Sequence, residues 1–254
     1  MRNRCPETLQ IKGRDYVLQR ILKEDFFSVN GLYVSEGQKP YVLKISDFRF
    51  IGGTLLRPFA IFMSRHEHKM YSLVQDLQGI PEIGGRFGSR GFLHEFVEGI
   101  TLVDVEEKGL SVPEGFFDEL LDIVQEMHRR GLIFMDLNKY GNIILGEDGH
   151  PHLIDFQISV LFRSYGFPLG RFKRRLFSTL AQEDIYHVFK HKKNRAPEQM
   201  RPNEFELATR SKANERMTKF LGRPYRKLKR RIYPQDSNDT VWYKWKKDRA
   251  ARTD

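Results

Sequence analysis

Cysteine is nearly absent from this chain: Cys5 stands alone among 254 residues. No internal disulfide and no cysteine-rich zinc site can therefore be built, which suits a reducing compartment such as the cytoplasm. No run of ~18 apolar residues occurs, so no membrane-spanning helix is expected. Met1 to Gly13 is polar and lacks the apolar centre of a secretory signal. Internal repeats are missing as well, which excludes solenoid and propeller arrays. What is present argues against disorder. The chain is 40% apolar and 13% aromatic, enough at this length for one large domain or two apposed lobes with a sizeable core.

The net charge of +10 is unevenly spread. From Leu221 to Asp254 eleven Lys/Arg face four Asp, a balance of +7, with Tyr225, Trp242, Tyr243 and Trp245 interspersed. A second basic run, Arg171-Phe172-Lys173-Arg174-Arg175, sits mid-chain. Such patches attract the phosphates of nucleic acid, anionic lipid or a phosphorylated glycolipid; a plain solvated surface is the competing reading. Nucleic acid is the weakest partner, because no recognisable reading motif accompanies the charge.

Three stretches near the N-terminus are short, β-rich and separated by Gly, Asn or Pro: Tyr16-Val17-Leu18, Leu32-Tyr33-Val34 and Tyr41-Val42-Leu43-Lys44-Ile45. They predict strands of an antiparallel sheet. After Gly52-Gly53, the spacing of Phe59, Met63, Met70, Val74 and Leu77 predicts one helix over roughly Leu56 to Leu77, stopped by Gly79-Ile80-Pro81. Ser111-Val112-Pro113-Glu114 reads as a capped start for a second helix, with Phe117, Leu120, Leu121, Val124 and Met127 as its buried face. Asn142-Ile143-Ile144-Leu145 and His152-Leu153-Ile154 are two short strands joined by Glu147-Asp148-Gly149, a hairpin signal. Beyond Phe162 the pattern is helical, basic and interrupted by prolines. The expected division is a nucleotide-binding lobe over 1–95, a catalytic lobe over 96–220 and a basic aromatic tail over 221–254.

Three polar residues are out of place. Asp136 follows the apolar approach Leu132-Ile133-Phe134-Met135, Asn142 opens one hairpin strand, and Asp155 closes the other. An antiparallel hairpin brings its open ends together, so Asn142 and Asp155 should lie side by side. Their oxygens are hard ligands suited to Mg²⁺. Each residue alone is explained as a loop cap or strand end; three at these spacings are not.

The stretch from Phe134 to Asn142, followed by Ile154-Asp155-Phe156-Gln157, resembles the catalytic loop and metal motif of the protein-kinase-like superfamily. The resemblance implies an α+β fold, a small antiparallel sheet with one helix ahead of a larger, mainly helical part. It also implies that Asp136 orients and deprotonates an acceptor hydroxyl, and that Asn142 and Asp155 hold Mg²⁺ on the phosphates of ATP. Lys44, in Tyr41-Val42-Leu43-Lys44-Ile45, is similar to the lysine that neutralises those phosphates. Glu67 is its implied partner, and an apolar helix face around that carboxylate demands a cation on independent grounds. Phe92 to Gly99 resembles the hinge whose backbone holds adenine, with Glu95 and Val97 as the implied contacts.

Several departures accompany the likeness. No GxGxxG loop exists; Lys23 to Gly31 stands in its place. Phe134-Met135 replaces His-Arg before Asp136, the Asp136–Asn142 interval is one residue longer, and Gln157 replaces the Gly after Asp155-Phe156. Ala196-Pro197-Glu198 matches a family tripeptide but lies beyond a helical pattern, a coincidence. The short chain and the Asp-Leu-Asn and Ile-Asp-Phe-Gln motifs look more like bacterial lipopolysaccharide core (Kdo/heptose) kinases and RIO-like kinases. The expectation is an ATP:alcohol phosphotransferase acting on a glycolipid sugar at the cytoplasmic side of an inner membrane, held there by the basic tail. An atypical Ser/Thr protein kinase of RIO type and a nucleotide-binding pseudokinase scaffold are the alternatives. Acceptor specificity would reside in Ile158 to Arg216.

Overall fold

The computed structural model describes residues 5–24, 28–47, 57–162 and 169–210. The basic tail, the Gly52-Gly53 pair and residues 25–27 of the segment standing where a Gly-rich loop is expected lie outside them. Two compact units emerge. Among the described residues, one runs up to Lys69 and takes in Glu82–Phe96; the other comprises Met70–Pro81 and the chain from Val97 to Arg210.

The first unit is a six-stranded, fully antiparallel sheet with one helix. β1 (Thr8–Ile11), β2 (Arg14–Glu24), β3 (Ser28–Val34) and β4 (Tyr41–Ser46) follow in order. β5 (Ile83–Phe87) and β6 (Gly91–Glu95) complete the order β1-β2-β3-β4-β6-β5. Sequence reading left β1 unassigned, although its signal exists: Leu9 and Ile11 alternate inward, and Lys12-Gly13 turns with φ of 51° and 79°, the left-handed pair that a two-residue hairpin needs. One sheet face is a closed core of Leu9, Ile11, Tyr16, Val29, Tyr33, Leu43 and Ile45. The opposite face, where Leu32 pairs with Val42 and Phe92 with Lys44, receives α1 (Arg57–Ser72).

The predicted continuation of that helix to Leu77 does not occur. From Met70 on, the bonds become tight: Leu73 N–H donates to Met70 O, Val74 to Tyr71 and Leu77 to Val74. The apolar spacing that suggested further helix is used by turns that still bury Val74.

The second unit begins with β7 (Gly99–Thr101) and α2 (Leu102–Glu107), whose Thr101 cap accepts from Asp104 N–H at 3.2 Å. α3 (Phe116–Arg129) starts later than Ser111 suggested, because Gly115 with φ of 82° supplies the N-cap and Ser111 remains in the loop. Its Phe117, Leu120, Val124 and Met127 are buried as the periodicity required, Phe116 joins them, and Leu121 of the expected face is only half-buried. β8 (Leu132–Ile133) leads to the hairpin β9 (Ile143–Gly146) and β10 (Pro151–Leu153); β11 (Val160–Leu161) pairs back on β8. α4 (Leu169–Arg195), 27 residues long, packs on α3 and β8, and α5 (Glu204–Leu207) closes the described chain. The basic run Arg171–Arg175 forms part of the opening turns of α4, with Phe172 exposed. Near the other end, buried Lys192 is held by Asp118 at 2.7 Å and Glu204 at 2.9 Å. No described helix is long and apolar enough to cross a membrane.

Candidate active site

In the first unit Lys44 Nζ meets Glu67 Oε1 at 2.7 Å, with the side chains 8% and 1% exposed. β4 places Lys44 mid-strand between β3 and β6, and α1 lays Glu67 across that face. A pair so enclosed is held by mutual need, since either charge alone in this site would be strongly unfavourable. Glu95 ends β6. Its N–H donates to Glu82 O at 2.7 Å, its carbonyl lies 2.9 Å from His94 Nδ1, and its carboxylate meets Lys39 at 2.7 Å. Val97 belongs to the second unit, and its N–H has no hydrogen-bond partner among the described residues.

The second unit assembles the other three. Asp136 is 8% exposed, at the head of a loop that closes through Lys139 N–H to Asp136 O and Asn142 N–H to Lys139 O. Asn142 Nδ2 donates to Asp136 Oδ2 at 3.0 Å, turning its amide nitrogen inward onto the carboxylate. Ile154 N–H donates to Asn142 O at 3.0 Å, which zips the open end of the hairpin and sets Asp155 beside it. Burial pushes the Asp136 carboxyl above its ordinary range; the Lys139 ammonium, 2.5 Å from Oδ2, opposes this, and the negative charge of Asp155 adds to it. Met135 and Asp155 both have φ of 70°, in the left-handed region that side chains other than Asn and Asp rarely adopt. Strained residues of this kind persist only where their surroundings over-determine them. For Asp155 those surroundings are buried Tyr71, whose hydroxyl accepts its N–H at 3.1 Å, and Phe156, whose ring meets Tyr71 at a tilt and Phe134 edge-on.

Sequence reading missed the residues that hold the loop from behind. Asp184 on α4 is 1% exposed and accepts from Phe134 N–H at 2.9 Å and Met135 N–H at 3.0 Å, with His128 Nε2 at 3.2 Å. Its signal was an acid flanked by Leu180, Ala181 and Val188 on a helix, the same anomaly that drew attention to Glu67. Lys139 was also overlooked, although a cation three residues after a lone carboxylate is visible in the sequence.

His191, two turns beyond Asp184, is wholly buried. Its Nε2 donates to Leu137 O at 2.6 Å, while Nδ1 is enclosed without a partner. Burial drives its pKa down to about 4, and nearby His187, Lys190 and Arg195 push the same way against the Leu137 carbonyl. Above the ordinary histidine value of about 6.5 the ring is neutral folded or unfolded and contributes no pH dependence. Between about 6.5 and about 4 only the unfolded chain takes up the proton, so stability falls through that window, by about 3 kcal/mol in total, and levels off below it. His191→Gln, which keeps a donor for Leu137, is expected to lose less urea resistance than the parent between pH 6.5 and 4. Identical acid slopes for the two proteins would show that His191 does not govern this loss.

Hard oxygens dominate the second-unit cluster. With its amide nitrogen turned onto Asp136, Asn142 has its oxygen left for a cation, and Asp155 adds a carboxylate. That donor set fits Mg²⁺, which completes its shell with water and phosphate oxygens. Among the described residues no group of three or more His, Cys, Asp or Glu could hold a metal by themselves.

The antiparallel sheet with its single helix, followed by a mainly helical unit carrying the Asp136–Asn142 loop and the Asp155 hairpin, is the protein-kinase-like fold. Among solved structures the chain is similar to the Rio2 kinase from Chaetomium thermophilum, with a TM-score of 0.52 and 16% identity over 79% of this chain. It spans 62% of that kinase's length, and at this identity the likeness concerns the fold alone. No protein-family model and no curated protein matches the sequence.

Proposed function

We propose that the chain is an ATP-dependent phosphotransferase that moves the γ-phosphate to an alcohol. The observation that carries this reading is the buried Asp136 carboxylate, gripped by Asn142 and fixed at its approach by two backbone bonds to Asp184. Bound MgATP would supply the transferable phosphoryl group and the cation that screens it. Asp136 would accept the proton of the acceptor hydroxyl, a task that its raised pKa favours. Asn142 and Asp155 would hold Mg²⁺. Lys44, kept in place by Glu67, would neutralise phosphate charge, with Lys139 as a further cation beside Asp136. The Val97 N–H suits an adenine acceptor nitrogen.

For the acceptor, the Asp-Leu-Asn and Ile-Asp-Phe-Gln motifs favour a sugar hydroxyl of a lipopolysaccharide core or similar glycolipid. The basic aromatic tail would attach the enzyme peripherally at an anionic inner membrane. A second reading, a RIO-like Ser/Thr protein kinase, draws on the likeness to the Rio2 kinase. Retention of Lys44, Glu67, Asp136, Asn142 and Asp155 together counts against a scaffold without turnover. The test is γ-labelled ATP offered with membrane glycolipid and total protein side by side. Label in the glycolipid is the expected result. Label confined to protein moves the assignment to the RIO-type reading, and binding of MgATP without label in either overturns phosphotransfer.

A further inference from the structure

The face of the first sheet that carries Lys44 changes character along its length. Directly opposed residues of an antiparallel pair share a face. The β3–β4 register therefore groups Leu32 with Val42, then Asn30 with Lys44, then Ser28 with Ser46. The first couple is apolar and buried; the second, ~7 Å along at two residues per step, is polar. An apolar platform followed at that distance by an ammonium and a carboxamide matches the succession of a nucleotide, flat base first and phosphates after.

Asn30 is the anomaly in this row. The residue as a whole is only half-buried, yet its Oδ1 is enclosed and has no hydrogen-bond partner. Ser46 Oγ, one couple further along, is likewise enclosed without a partner. Leaving a buried polar atom unsatisfied weakens a fold, and a leucine of nearly the same shape would avoid that. Asn30 is therefore a costly choice for the stability of the protein without a ligand.

We infer that Asn30 is a phosphate-positioning residue of the nucleotide site, donating from Nδ2 to an α- or β-phosphate oxygen beside Lys44. This inference rests on the proposed phosphotransferase reading and deepens it. The segment ahead of β3 has no GxGxxG sequence, so the backbone donors of such a loop are missing as a motif. A side-chain amide on the neighbouring strand meets the same need from the sheet itself. A hydrogen bond to a charged oxygen is among the stronger ones, and its loss shows as affinity.

The experiment compares the intact chain with Asn30→Leu, Asn30→Ala and Lys44→Ala. Affinities for MgATP and for adenosine are measured by calorimetry, and thermal midpoints are taken without ligand. Asn30→Leu should bind MgATP roughly tenfold more weakly, about 1.4 kcal/mol, bind adenosine as the parent does, and melt at the same temperature or higher. Asn30→Ala should show the same split between the two ligands even where a cavity lowers its midpoint. Parent-like MgATP affinity in both Asn30 variants would overturn the inference, as would equal losses for MgATP and adenosine. Failure of the parent chain itself to bind MgATP would overturn the phosphotransferase reading instead. Lys44→Ala, which should lose MgATP affinity whatever Asn30 does, separates the two results.

Discussion

Asp155→Ala is expected to lower phosphotransfer by roughly a thousandfold or more, because metal-borne charge stabilisation is worth several kcal/mol and each ~1.4 kcal/mol is a factor of ten. The alanine variant carries a second defect, since φ of 70° at this position suits Asp or Asn better than Ala. Asp155→Asn is therefore the cleaner partner: it retains the backbone preference and the side-chain shape and removes only the negative charge. Both variants should lose activity alike, with Asp155→Asn unfolding at the parent's urea concentration. Near-parental turnover by Asp155→Asn, measured as label transferred from γ-labelled ATP, would sink the assignment of this carboxylate to the metal.

Asp184→Ala is expected to be the most destabilising change in the second unit, by about 3–5 kcal/mol. It strips the acceptor from Phe134 N–H, Met135 N–H and His128 at once, and each buried donor left unsatisfied costs about 1–3 kcal/mol. Activity should fall as well, by at least about a hundredfold, because a shift of even 1 Å in the Asp136 loop would spoil the alignment of the proposed base with an acceptor hydroxyl. Asp184→Asn, with one acceptor oxygen left for two backbone donors, should lie between. Urea unfolding gives the first number and kcat/KM the second. Stability within 1 kcal/mol of the parent in Asp184→Ala would show that the loop holds its shape without α4.

Most of the fold could be read from the chain because its elements obey local rules. The β2, β3 and β4 runs are β-branched and aromatic with turn residues between them, and α3 has a clean apolar stripe. The Asp136, Asn142 and Asp155 trio was legible because each is a polar residue in an apolar context, and hairpin geometry then dictated which two would meet. Lys44 and its pairing with Glu67 came from the family resemblance, and the cost of enclosing a carboxylate supported Glu67 on independent grounds. What escaped was set by distance or by competition. The helix over-run past Ser72 arose because Val74 and Leu77 keep helical spacing inside tight turns. Ser111 was a sound cap on paper, but Gly115, free to adopt a left-handed φ, begins the helix one turn later. Asp184 and His191 touch the loop from more than forty residues away, and no local pattern announces such partners. Asn30 escaped because an asparagine in a strand reads as a weak β residue until the register shows what it stands beside.

The grip of α4 on the Phe134–Leu137 segment also sets an order of events during synthesis. Phe134 N–H waits for an acceptor 50 residues downstream, and the Leu137 carbonyl for a ring 54 residues downstream. At ribosomal rates of about 5–20 residues per second, this segment emerges several seconds before the helix that gives it shape. During that interval the first unit, whose β1–β4 partners are near neighbours in sequence, can already pair. A nascent chain halted before Asp184 should therefore have a protected sheet but a protease-sensitive 134–137 segment, and the Asp136 carboxylate, the proposed base, would be among the last groups to be locked into place.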